Sequence, residues 1–178
     1  MKPIFRLPIA IAVLHLCLVP VSTFAEDSGV TVSEPNLFSY QAPAGWTLKS
    51  VRGAKYKAAC DIKDDTVKAA IGVEIDTQPG PLDDWCQQSL AKNKKLFSEA
   101  DMQVGDQKPF ETVSGAKGIR VPITLTPLTT SSNKIQFIDY FFEGKSDAKI
   151  AVTCSCPAES GDHYAPLFDA AIKTFVPN

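Results

Sequence analysis

Apolar residues take every second position in VKAAIGVEI, where Val67, Ala69, Ile71, Val73 and Ile75 alternate with Lys68, Ala70, Gly72 and Glu74. A period of two puts each set on one side of a strand. YKAACDI, just before it, does the same with Tyr56, Ala58, Cys60 and Ile62, and the polar KDDT between the two predicts a hairpin turn. After TQPGP the period changes. Leu82, Trp85, Cys86, Ser89, Leu90, Asn93, Leu96 and Phe97 recur at helical spacing, and Pro81 suits a first helical turn because its missing N–H costs nothing there. Asp83 and Asp84 at the start, with Lys92, Lys94 and Lys95 near the end, complement the helix dipole.

Four more strands are predicted: one over residues 102–110, then GIRVPITL, KIQFIDYFF and AKIAVTCSC. In GIRVPITL, Ile119, Val121, Ile123 and Leu125 alternate with Arg120, Pro122 and Thr124, and the proline predicts an edge position or a bulge because it cannot donate to a ladder. IQFIDYFF is apolar on both faces, as a central strand is. The last strand holds Ile150, Val152, Cys154 and Cys156 in phase and stops at Pro157. Tyr164, Leu167, Phe168, Ala171, Ile172 and Phe175 then mark a closing amphipathic helix, with Pro166 near its start. Strands joined by short turns, interrupted by one helix and closed by another, predict an α+β fold with an antiparallel sheet.

The N-terminal segment changes the domain count. MKPIFRLPIAIAVLHLCLVPVSTFA carries Lys2 and Arg6, an apolar run from Ile9 to Val19 and small or neutral residues up to Ala25, the layout of a cleavable secretory signal. The run is broken by His15 and Pro20 and is shorter than the roughly 20 residues that span a bilayer. Cys17 follows Leu16 rather than a small residue, which argues against lipidation. A leader over residues 1–25 leaves 26–178 as one domain, placed outside the cytoplasm, periplasmic or secreted, with no transmembrane segment after cleavage. The leader holds two of the 18 basic residues and none of the 20 acidic ones, so the remainder has a formal charge of −4. That balance disfavours nucleic acid as a partner, and the basic run KNKK reads as a solvated helix face.

Little in the chain points to chemistry. Without the leader, His163 is the one histidine of the chain, which leaves no multi-histidine metal site. A hydrolase would have to centre on it, and although Ser160 and Asp162 are close in sequence, there is no G-x-S-x-G elbow. Asp61, Asp64 and Asp65 lack the spacing of a calcium loop and read as a polar turn. Neither GVEIDTQPG nor GAKG matches a phosphate or dinucleotide loop, so no cofactor is expected. Tyr40, Trp46, Phe137, Tyr140 and Phe141 can fill a core or line a pocket. Catalytic, cofactor and metal residues are therefore expected to be absent.

Four cysteines remain in the exported part: Cys60, Cys86, Cys154 and Cys156. An even count in an oxidising compartment predicts two disulfides rather than zinc, since the chain has no C-x-x-C knuckle. Residues two apart in a strand have Cα atoms about 6.6 to 6.8 Å apart, too far for the Cβ approach of about 3.5 to 4.5 Å that a disulfide needs. The expectation is that Cys60 and Cys86 each bond to one of Cys154 and Cys156, either way round.

LFSYQAPAGWTL, residues 37–48, runs from an extended opening through a proline and glycine turn into a tryptophan. With the helix after QPGP, the GAKGIR strand opening and the terminal YAPLFDAAIKTF, it resembles the domains related to the photosystem II extrinsic protein PsbP and to Mog1, over residues 36–176. The resemblance implies an α/β/α sandwich with a central antiparallel sheet, in a superfamily of mostly non-enzymatic binding or assembly proteins. No residue matches that family's ion-binding or Ran-binding residues, and the absence of a chloroplast transit peptide counts against a photosystem role. The expected function is an exported, non-enzymatic binding or assembly protein with an unidentified protein partner. A small-ligand or lipid carrier with a pocket between sheet and helix is the alternative, and a hydrolase centred on His163 the remote one.

Overall fold

A computed structural model of the chain describes residues 29–51, 54–98, 100–127 and 133–178. The expected leader lies outside them. The chain order is β1 (Thr31–Glu34), β2 (Phe38–Gln41), β3 (Thr47–Lys49), β4 (Ala58–Lys63), β5 (Thr66–Thr77), α1 (Leu82–Leu96), β6 (Ala100–Val104), β7 (Lys108–Glu111), β8 (Lys117–Pro127), β9 (Ile135–Glu143), β10 (Ala148–Pro157), α2 (Gly161–Lys173) and β11 (Val176–Pro177). The main sheet, antiparallel throughout, runs β3-β4-β5-β10-β9-β8-β6, with β7 also paired to β8. A small sheet of β1, β2 and β11 accompanies it.

Local chemistry sets the turns. Asp64 and Asp65 hold φ of 52° and 57° between the paired Lys63 and Thr66, so KDDT makes a two-residue hairpin of the primed type that matches strand twist. The expected strand over 102–110 is split into β6 and β7, and Pro122 is the reason. The Gly105 N–H donates to the Pro122 carbonyl at 2.8 Å, so the carbonyl of Pro122, and with it the nitrogen that lacks a proton, faces the edge where β6 gives way to β7. β9, the apolar IQFIDYFF, lies between β8 and β10 in the interior of the sheet.

The alternation along β9 builds two cores. Ile138, Tyr140 and Phe142 join Ile71, Val152 and Cys154 of neighbouring strands under Tyr164, Phe168 and Ile172 of α2. Phe141, with Val121 and Ile123, meets Trp85, Cys86 and Leu90 of α1 on the opposite face. Helices on opposite faces of one antiparallel sheet make an α/β/α sandwich. Each buried Phe or Ile contributes about 1.5 to 3 kcal/mol relative to exposure. Arg120 Nε donates to Asp169 Oδ1 at 2.8 Å and the Tyr140 hydroxyl donates to the same oxygen, which docks α2 on the sheet. Phe142 stacks on Phe175 at 5.0 Å, and a Cβ at Gly118 would lie 2.6 Å from the Phe142 ring and 2.4 Å from the Phe141 carbonyl oxygen. The first glycine that opens GIRVPITL is thus a packing requirement.

Register bears on the expected cysteine pairing. Cys60 faces Ala70 across β4 and β5, and Ala70 faces Ser155 across β5 and β10. Paired residues share a face, so Cys60 projects opposite to Cys154 and Cys156, which pack in the α2 core. Cys86 packs in the α1 core, also across the sheet from them. All four are buried, and no disulfide joins them among the described residues. Phase within one strand says nothing about which face a distant cysteine occupies, and here the sheet stands between the expected partners.

Candidate functional site

α1 packs tightly on the sheet through its first two turns and loosely after them. Trp85 meets Phe141 edge to face at 5.4 Å, and Cys86 and Leu90 are buried beside them. Farther along, the positions that face the sheet are the small or polar Ser89 and Asn93, which do not fill the space beneath them. Phe97 reaches Phe137 at 6.3 Å and closes the far end. The result is a cleft of about 350 Å³. Its floor is Phe137, Asp139 and Phe141 of β9 with Ala151 and Thr153 of β10, and its wall on the β5 side carries Glu74 and Asp76.

Asp139 is the chemically distinctive group there. It is 3 % exposed and its Oδ1 has no hydrogen-bond partner. Burial pushes its carboxyl up to about 6, the Thr153 hydroxyl pulls it back down, and the charge of Glu74 adds to the rise. Native proteins pair buried polar atoms almost without exception, and Asp139, a residue that lines the cleft, is an exception. At the mouth, Lys92 and Glu74 stand 4.0 Å apart, both largely exposed, and such a pair adds little stability. Aromatic surface with polar side chains converging on it suits binding.

The other candidates fall elsewhere. His163 is exposed in the first turn of α2, with its ring edge-on to Tyr164 at 4.8 Å. Ser160 and Asp162 flank it at the helix start. Asp61 accepts a 2.6 Å hydrogen bond from the Tyr164 hydroxyl, and burial first, then Asp61, pushes that phenol up to about 12, while Asp64 and Asp65 form the hairpin turn. No group of three or more His, Cys, Asp or Glu side chains among the described residues is placed to hold a metal. Of the five aromatic candidates, Phe137 and Phe141 line the cleft. Tyr40, Trp46 and Tyr140 belong to the α2 core. Sequence reasoning missed Asp139, although its signal was present as a lone carboxylate inside a strand apolar on both faces.

No family model matches the chain, and no curated protein matches its sequence. Solved structures do. The solution structure of cyanobacterial PsbP (CyanoP) from Synechocystis is similar, with a TM-score of 0.65 at 14% identity over 90% of this chain and 99% of that one. The Ran-binding protein Mog1p of Saccharomyces cerevisiae is similar with a TM-score of 0.55 at 9% identity over 79% and 90%. At these identities the likeness is one of architecture. The chain has the PsbP/Mog1-like fold.

Proposed function

We propose that the chain is an exported, non-enzymatic binding protein, with residues 1–25 removed and 26–178 acting as one domain, and that it binds through the cleft beneath α1. The observation that carries this reading is the cleft itself: about 350 Å³ between helix and sheet, with a buried carboxyl oxygen left unpaired on its floor. That volume lies within the roughly 300 to 1,000 Å³ of ligand sites. The fold supports a binding role by analogy, since Mog1p is described as Ran-binding. Among the described residues no helix is long and apolar enough to cross a membrane.

The test uses a neutral apolar fluorophore, N-phenyl-1-naphthylamine. One equivalent should bind with enhanced emission, and Ser89→Trp, which fills the cleft from α1, should abolish the signal while far-UV circular dichroism stays unchanged. Equal emission from wild type and Ser89→Trp places binding elsewhere and overturns the site. Intact mass of protein recovered from the host envelope should begin at Glu26, and retention of Met1 contradicts the export part.

A further inference from the structure

We infer that the ligand of the α1 cleft is a small organic ammonium ion, an aromatic or aliphatic body lying between Trp85 and Phe137 with its charged nitrogen facing the Asp139 carboxylate. This deepens the binding reading and rests on it.

Three features converge on that ligand class. The first is Asp139, a buried carboxylate that lines the cleft and, when ionised, accepts but cannot donate. A ligand that donates with a positive charge makes the stronger bond. The second is the field. Asp139 is joined at the cleft by Glu74 and Asp76 of β5, against one cation, Lys92 of α1, which leans on Glu74. An anionic ligand meets net repulsion there. The third is the wall. Trp85, Phe137 and Phe141 present aromatic surface, and ring faces attract ammonium groups. The cleft's volume of about 350 Å³ exceeds twice the ~150 Å³ apolar cavity that takes benzene, enough for one ring and a short chain.

A metal ion fits poorly, because hard cations take roughly six to eight oxygens and no group of three or more His, Cys, Asp or Glu side chains among the described residues is placed to hold one. The groups around Asp139 from each packed element are Glu74 and Asp76 on β5, Cys86 and Lys92 on α1, and Thr153 on β10. Burial holds the Cys86 thiol up at about 11, so it stays neutral over the range in which Asp139 titrates. Amine binding is therefore strongest near neutrality and weakens as Asp139 takes up a proton.

Isothermal titration of the purified chain at pH 7.5 with 2-phenylethylamine, 2-phenylethanol and 3-phenylpropanoate separates charge from shape. The amine should bind one equivalent at least tenfold tighter than the alcohol, and the carboxylate should not bind measurably. Asp139→Asn should bring the amine down to the affinity of the alcohol while changing the alcohol less than threefold, and Glu74→Gln should weaken the amine about twofold. Equal affinity for amine and alcohol in the wild type overturns the inference, and that series needs no variant to fold. Selectivity for the amine that survives in Asp139→Asn also overturns it. Fluorophore binding that Ser89→Trp blocks, without preference for the amine, removes the ligand class and leaves the cleft as a binding site; no binding of any probe removes both.

Discussion

Replacing Asp139 by Asn should make the chain more stable at neutral pH and remove a specific part of its pH dependence. Burial raises this carboxyl from an ordinary 3.8 to about 6, and each pH unit of displacement corresponds to about 1.4 kcal/mol, so the ionised form costs the folded state about 3 kcal/mol. The sign follows from proton binding. Between pH 4 and 6 the folded state holds a proton that the unfolded state has lost, so stability falls as pH rises. The contribution is fully present below the ordinary carboxyl pKa and is gone above about 6. Asn keeps the shape and cannot ionise. Urea unfolding of wild type and Asp139→Asn in parallel, from pH 4 to 8, isolates the group, because every other titration cancels in the difference. The variant should gain about 2 to 3 kcal/mol on wild type between pH 4 and 7.5, with most of the change between pH 4 and 6. A difference that stays flat, or wild type gaining on the variant as pH rises, refutes the buried, unpaired state of Asp139.

Three further outcomes follow from the packing. Without reductant, denatured chain lacking residues 1–25 should release four equivalents of thiol to Ellman's reagent, and folded chain should react slowly, since burial pushes Cys86 and Cys156 up to about 11; a disulfide from Cys60 or Cys86 to Cys154 or Cys156 by non-reducing peptide mapping contradicts the register. Gly118→Ala forces its methyl against the Phe141 carbonyl and the Phe142 ring and should cost about 1 to 3 kcal/mol by urea unfolding, whereas an unchanged midpoint contradicts the close contact. His163→Ala should stay folded and bind the fluorophore within threefold of wild type, because the side chain is exposed on the α2 side, and loss of binding with the fold intact revives a role for His163.

Periodicity made much of this architecture legible. The helix of Leu82, Trp85, Cys86 and Leu90, the KDDT hairpin and the central position of IQFIDYFF all follow from spacing that one strand or helix imposes on its own residues. Pro122 announced an irregularity, but its place, beside the break between β6 and β7, depends on a partner strand. The short strands β1, β2 and β11 carry too few residues for a period to show, and their pairing joins segments from the two ends of the described chain. The cysteine pairing was out of reach for the same reason, since phase within β10 is local and the face taken by Cys60 or Cys86 is set by register across several strands. Asp139 stood in plain view, yet only the union of β9, β10 and α1 shows that one of its oxygens has no partner and that the residue lines a cleft.

The claim that binding occurs beneath α1 is tested most directly by mapping amide chemical-shift changes in the ¹⁵N-labelled chain as 2-phenylethylamine is added. The largest changes should fall on α1 between Trp85 and Phe97, on Phe137, Asp139 and Phe141 of β9, and on Ala151 and Thr153 of β10. Changes centred instead on α2 or on the small sheet of β1, β2 and β11 would contradict the account.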